Sequence, residues 1–129
     1  MDDQTRHTRG TANRRGVLGD AHVDRSIDRV NDVDRDFQDL ITRYAWGDIW
    51  DRPGLDRRTR SLLTIVMLAA LGHDDELKMH LRASVNCGVP REEVIEALLQ
   101  SAIYAGVPAA NSAFKAAKEV FAEIDASGS

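Results

Sequence analysis

The sequence predicts an all-α fold. Three observations carry that expectation. Apolar residues recur at spacings of three and four through most of residues 23–124. No stretch alternates apolar and polar residues as a half-buried strand would. Glycine or proline stands between the periodic blocks, where helices stop and start. Together they describe one domain, over residues 16–125, built as a bundle of about five helices.

Residues 1–15 are polar, show no apolar periodicity and end on Arg14 and Arg15. They are expected to form a flexible tail. "GVLGDAHV", residues 16–23, reads as a glycine-framed loop carrying His22. The first helix is expected from about Asp24 to Trp46, because Val23, Ile27, Val30, Val33, Phe37, Leu40 and Tyr44 share one helical face. "GDIWDRPG", residues 47–54, is a turn-rich loop beside Trp46 and Trp50.

The second helix starts behind Asp56, a suitable N-cap, and stops at Gly72. From Leu62 to Leu71 it is apolar nearly all round, which predicts a central, buried helix. The third spans 74–87 and is stopped by Gly88. The fourth opens on Pro90, with Glu92 and Glu93 in its first turn. Its apolar stripe is Val94, Ile95, Leu98, Leu99, Ala102 and Ile103, and Gly106 ends it. The fifth runs from Pro108 to Ile124 on Ala110, Phe114, Ala117, Phe121 and Ile124, and residues 125–129 fray. Five helices of this size carry more apolar face than one thin bundle buries, so burial against other copies of the chain is expected.

Seventeen basic and 21 acidic residues give a formal net charge of −4, which argues against a nucleic-acid binder. The single cysteine, Cys87, permits no intramolecular disulfide, suits a reducing compartment and reads as a small buried hydrophobe. The charged start lacks an apolar signal core. The longest apolar run, "LLTIVMLAAL", has ten residues where a membrane span needs roughly twenty. A cytoplasmic protein is expected.

The chemistry-bearing residues cluster in the second and third helices. Glu76 and His80 lie four apart, on one helix face beside Leu77 and Leu81. A carboxylate at that spacing can hold one imidazole nitrogen and leave the other to act as acid or base. The same spacing also describes an ordinary surface ion pair. His73 adds a third ligand type, so His73, Glu76 and His80 form a conceivable metal set, although three ligands from one helix need an outside group to complete a catalytic site. Arg57, Arg58 and Arg60 crowd a helix start, where cations oppose the macrodipole by about 0.3–1 kcal/mol each. Anionic ligands offset that cost, as do salt bridges to the acidic first helix with Asp28, Asp32, Asp34, Asp36 and Asp39. His22 is a further titrating group. Trp46, Trp50 and Tyr104 can wall a pocket or simply fill core.

The stretches "VLGDAHVDRS", "YAWGDIWDRPGLDRRTRSLLTIVMLAALG" and "ELKMHLRASVNCGVPREEVIEALLQSAIYAGVPAANSAF" resemble the carboxymuconolactone decarboxylase family, in order, over about residues 14–120. The Trp-Gly-x-x-Trp, Arg-Pro-Gly-Leu and Tyr-Ala-Gly-Val-Pro-Ala-Ala-Asn blocks make the likeness specific. The resemblance implies the helical fold of alkylhydroperoxidase D proteins and a ring-shaped homo-oligomer, commonly a hexamer. It implies decarboxylation of 4-carboxymuconolactone in protocatechuate breakdown, the β-ketoadipate pathway. The peroxidase branch of that fold uses a Cys-x-x-Cys pair followed by histidine. Here the thiols are missing and the histidine remains as His80.

The implied substrate carries its own electron sink, the lactone carbonyl, so neither metal nor organic cofactor is expected. His80 is expected as the acid, held by Glu76. Arg58 or Arg60 is expected to anchor a carboxylate, His22 to serve as a second donor, and Trp46, Trp50 and Tyr104 to line the substrate pocket. The alternatives are a metal-assisted lactone hydrolase using His73, Glu76 and His80, and a non-catalytic oligomeric binding protein.

Overall fold

A computed structural model of the chain describes residues 1–128; Ser129, part of the expected frayed end, lies outside the described residues. Among them the chain forms α1 (Asp3–Leu18), α2 (Asp20–Arg29), α3 (Arg35–Leu40), a π-helical segment (Ile41–Ile49), α4 (Arg57–Leu71), α5 (Asp74–Asn86), α6 (Arg91–Tyr104) and α7 (Val107–Ala126), and no strand. The all-α expectation holds, with seven α-helices rather than about five. The backbone falls into two compact units that divide after Arg57.

The extra helices belong to the first unit. Residues expected as a tail lie in α1. Asp2 caps it by accepting from the Thr5 backbone N–H at 2.7 Å, and that bond holds the Asp2 carboxyl below its ordinary value. Gly19, at φ 90°, ends it and leads directly into α2, so His22 is helical rather than in a loop. Apolar periodicity misses α1 because small residues make its packing. A Cβ on Gly10 would stand 1.9 Å from the Thr42 carbonyl oxygen, and one on Gly47 would stand 2.1 Å from that of Arg6. α1 and the π segment therefore meet backbone to backbone.

The single helix expected over 24–46 is broken. The Asn31 side chain accepts from the Val33 N–H at 2.9 Å, and Asp34 accepts from the Asn31 N–H at 3.0 Å. These local bonds offer the backbone an alternative to helix, and α2 stops at Arg29. Val33 is consequently 93% exposed, and Phe37, Leu40 and Tyr44 are exposed too. After Leu40 the turns widen, and the segment buries Thr42, Trp46 and Gly47 instead of the expected stripe.

The second unit follows the sequence more closely. Gly72 and Gly88, both at φ +75°, and Gly106, at φ +101°, stand at the expected breaks. α7 packs against both α5 and α6 through Ala110, Ala113, Ala116, Ala117 and Val120, all buried. Against them α5 contributes Leu77 and Leu81, fully buried and worth about 1.5–3 kcal/mol each. Lys78 and Arg82 of α5 pair with Glu119 and Glu123 of α7 at 2.9 and 3.0 Å, a matched four-residue step on both helices that fixes their register. These pairs raise the Lys78 and lower the Glu123 ionisation.

α4 is not buried all round. Ser61, Ile65 and Ala69 face inward, while Leu63, Met67 and Leu71 are exposed. α6 does the same: Val94, Leu98 and Ser101 are buried, and Ile95, Leu99 and Ile103 of its expected stripe are exposed. Its apolar residues cover more of the helix circumference than the chain itself can bury. Among the described residues, no helix is long and apolar enough to cross a membrane.

Candidate active site

α5 is the element that carries the candidate acid. Asp74, Asp75 and Glu76 fill its first turn, where carboxylates complement the helix dipole. One turn on, His80 is 7% exposed, on the inward side with Leu77, Leu81 and Ser84. Glu76 is exposed. The helix thus brings an imidazole into the interior while its four-residue neighbour stands at the margin. Cys87, at the C-cap of α5, is buried, as the small hydrophobe expected of it.

His73 stands at the N-cap of α5 and is exposed. Among the described residues, no three His, Cys, Asp or Glu side chains are placed to hold a metal ion, so His73, Glu76 and His80 do not gather into a ligand set.

The arginines behind Asp56 separate. Arg58 forms an ion pair with Glu93 of α6, so its charge is already matched within the second unit. That partner differs from the acidic first-helix residues weighed from the sequence. Arg57, the last residue of the first unit, donates to the Asn13 side chain at 3.1 Å. Arg60 is half-buried on α4. Tyr104, at the end of α6, is 84% exposed and borders an apolar groove of about 300 Å³ with Val66, Met67 and Ala70.

His22, Trp46 and Trp50 belong to the first unit. His22 is half-buried in the first turn of α2. Trp46 is buried and stacks on Trp50, with ring centroids 5.0 Å apart at 29°. The Asn13 amide donates to the Trp46 carbonyl at 2.9 Å and to Asp51 at 3.0 Å, tying α1 to the end of the π segment and the turn after it. Those contacts, chiefly the Asn13 bond and then the Arg9 bond at 3.2 Å, hold the Asp51 carboxyl below its ordinary value.

The same unit holds a feature the sequence reading missed. A cavity of about 430 Å³ opens between α1, α2, α3 and the start of the π segment. Val23, Ile27 and Val30 form its apolar wall, and Arg14, His7, Thr11, Arg35, Gln38, Asp39 and Thr42 its polar one. His7 faces Asp39 at 3.6 Å, and Arg35 pairs with Asp32. The only sequence sign of this site was the Arg14–Arg15 doublet, which a tail assignment leaves without a partner.

Residues 35–119 match the model of the carboxymuconolactone decarboxylase family. A 4-carboxymuconolactone decarboxylase of Acinetobacter baylyi is 51% identical over 124 residues, which are 96% of this chain and 92% of that protein. A second, from Pseudomonas putida, is 52% identical over 48 residues, 37% of this chain and all of the relative's known sequence. A nitrosuccinic acid decarboxylase of Metarhizium robertsii is 42% identical over 95 residues, 74% of this chain and 66% of that protein. The missing thiol pair, the buried histidine of α5 and a match that runs through both units agree on one assignment: the chain belongs to the carboxymuconolactone decarboxylase family.

Proposed function

We propose that this protein is a 4-carboxymuconolactone decarboxylase, converting γ-carboxymuconolactone to β-ketoadipate enol-lactone and carbon dioxide in protocatechuate catabolism. The observation that carries the reading is the 51% identity to an enzyme of that name over 96% of the chain.

The reaction sets the tasks. Breaking the bond to the carboxylate at the γ carbon sends its electron pair through the ring double bond to the lactone carbonyl oxygen. The dienolate then takes a proton at the α carbon. The substrate accepts its own electrons, so the protein needs only to bind, to stabilise an oxyanion with preorganised donors and to deliver a proton. The relative named for nitrosuccinic acid fits the same economy, because a nitro group is also an electron sink.

His80 delivers the proton, and Glu76 orients it. Burial of His80 within α5 supports this, because an imidazole withdrawn from water has its orientation fixed by packing. Arg58 or Arg60 anchors a substrate carboxylate. His22 is the second donor, and Trp46, Trp50 and Tyr104 wall the substrate. No metal or organic cofactor takes part.

The working enzyme is a cytoplasmic homo-oligomer, most simply a hexameric ring. The exposed apolar faces of α4 and α6 support assembly, since Met67, Leu71, Leu99 and Ile103 stand uncovered in the single chain.

Incubation of purified protein with 4-carboxymuconolactone, before and after exhaustive chelation and dialysis, tests the reading. Turnover should be equal in both. Activity lost on chelation and restored by a divalent metal would favour the lactone hydrolase. No turnover in either sample would favour the binding protein.

A further inference from the structure

We propose that the first-unit cavity binds the carboxylate of a small organic acid, with Arg14 as its ion-pair partner and Val23, Ile27 and Val30 against its carbon skeleton. The proposal does not rest on the reaction above. α1 and α2 supply half of the lining of this cavity, and both precede the residues that the family model matches.

Arg14 is the reason to expect an anion. It is half-buried, and among the described residues no carboxylate pairs with it. Its Nε is buried without a hydrogen-bond partner, and its Nη2 reaches only the Gln38 side-chain oxygen, at a long 3.4 Å. Burial, and then the neighbouring Arg15, hold its ionisation below the ordinary arginine value. Arg15 differs on each count: it is paired with Asp24 at 2.8 Å and with Asp20 at 3.1 Å, and its ionisation is raised. The two adjacent arginines have divided their work. One is matched to carboxylates within the fold, and the other carries an unmatched, partly desolvated charge into a cavity. A guanidinium in that state gains more from a carboxylate than an exposed one does.

The donor count narrows the ligand. The Thr11 hydroxyl donates to the His7 carbonyl at 2.9 Å, and that of Thr42 to the Gln38 carbonyl at 2.8 Å, so each has spent its single proton. His7 already faces Asp39 and Arg35 pairs with Asp32, so the side-chain N–H donors left for a ligand are chiefly those of the Arg14 guanidinium and the Gln38 amide. The planar fork of guanidinium N–H groups matches the two oxygens of one carboxylate. The apolar wall and the volume of about 430 Å³ suit a short carbon chain or a small ring.

Titration calorimetry of the full chain with adipate tests this. Wild-type protein should bind adipate saturably and should not bind adipamide, which has the same skeleton without charge. Arg14→Gln should weaken adipate by about ten- to hundredfold, the usual worth of a charged hydrogen bond. Ile27→Trp, which fills the cavity and keeps the arginine, should weaken it similarly. Helix content and melting temperature check folding, and if one variant does not fold the other decides. Absence of saturable binding by the wild type, or undiminished affinity in a folded variant, would overturn the proposal. Adipate's effect on 4-carboxymuconolactone turnover then separates the sources. Competitive inhibition that Arg14→Gln abolishes identifies the substrate's own carboxylate as the occupant, and non-competitive inhibition a separate acid.

Discussion

The acid role proposed for His80 rests on its burial, and burial was the part that spacing left open. Four-residue spacing placed Glu76 and His80 on one face, but a surface pair has the same spacing. The depth of the imidazole is set by packing, which spacing within one helix does not record. His80→Gln should keep helix content and lose activity by about 10²–10⁴-fold, the range for a positioned proton donor. Glu76→Gln should cost less, because it removes only the carboxylate proposed to orient the imidazole and leaves the proton donor in place. The double variant should be about as slow as His80→Gln alone, since residues acting as one unit are not additive. Steady-state rates of the three variants check this, and near-normal turnover in folded His80→Gln would move the proton to another donor, with His22 first. Asp51 makes a separate residue-scale claim about pH. Its folded-state ionisation lies below the ordinary carboxylate value, so its contribution to stability is complete above that value. The contribution falls away as pH drops through the lower, folded-state value. A carbon-detected NMR titration should find that depressed midpoint in wild type, and Asn13→Ala should move it back up.

The helices divide into those that side-chain pattern can reveal and those that it cannot. α5, α6 and α7 were legible because apolar stripes and glycine stops recorded them. α1 was not, because it docks through Gly10 and Gly47 and shows no stripe. The break at 30–34 was hidden for a related reason. Apolar spacing continued across it, while the Asn31 and Asp34 side chains took the backbone elsewhere. The cavity was illegible with them, since it exists only when α1 and α2 are helices. Gly10→Ala should therefore destabilise the protein by about 1–3 kcal/mol, as overpacking does, because a carbonyl oxygen occupies the place of the added Cβ. Gly54→Ala, whose added Cβ meets nothing within 4 Å, should be close to neutral. Urea melts of the two variants make the comparison, and equal midpoints would disprove the tight crossing.

At the scale of the whole molecule, the sequence held an excess of apolar faces, and the structure locates it on the outer sides of α4 and α6. Expecting α4 to be buried all round ran two claims together. The apolar residues are present, but Leu63, Met67 and Leu71 remain exposed in the single chain. Other copies supply it in the assembly proposed here. Light scattering at micromolar concentration should give a multiple of the 14.3 kDa chain mass, with a hexamer the expected form. Ile103→Glu, at a position 79% exposed in the single chain, should shift the mass toward monomer and leave helix content intact. A monomeric wild-type protein would remove the case for a ring. The measurement that bears most directly on the central claim is the yield of carbon dioxide from 4-carboxymuconolactone. The decarboxylase account predicts one carbon dioxide released for each lactone consumed by the purified, chelator-treated protein. Lactone consumed without carbon dioxide would contradict it.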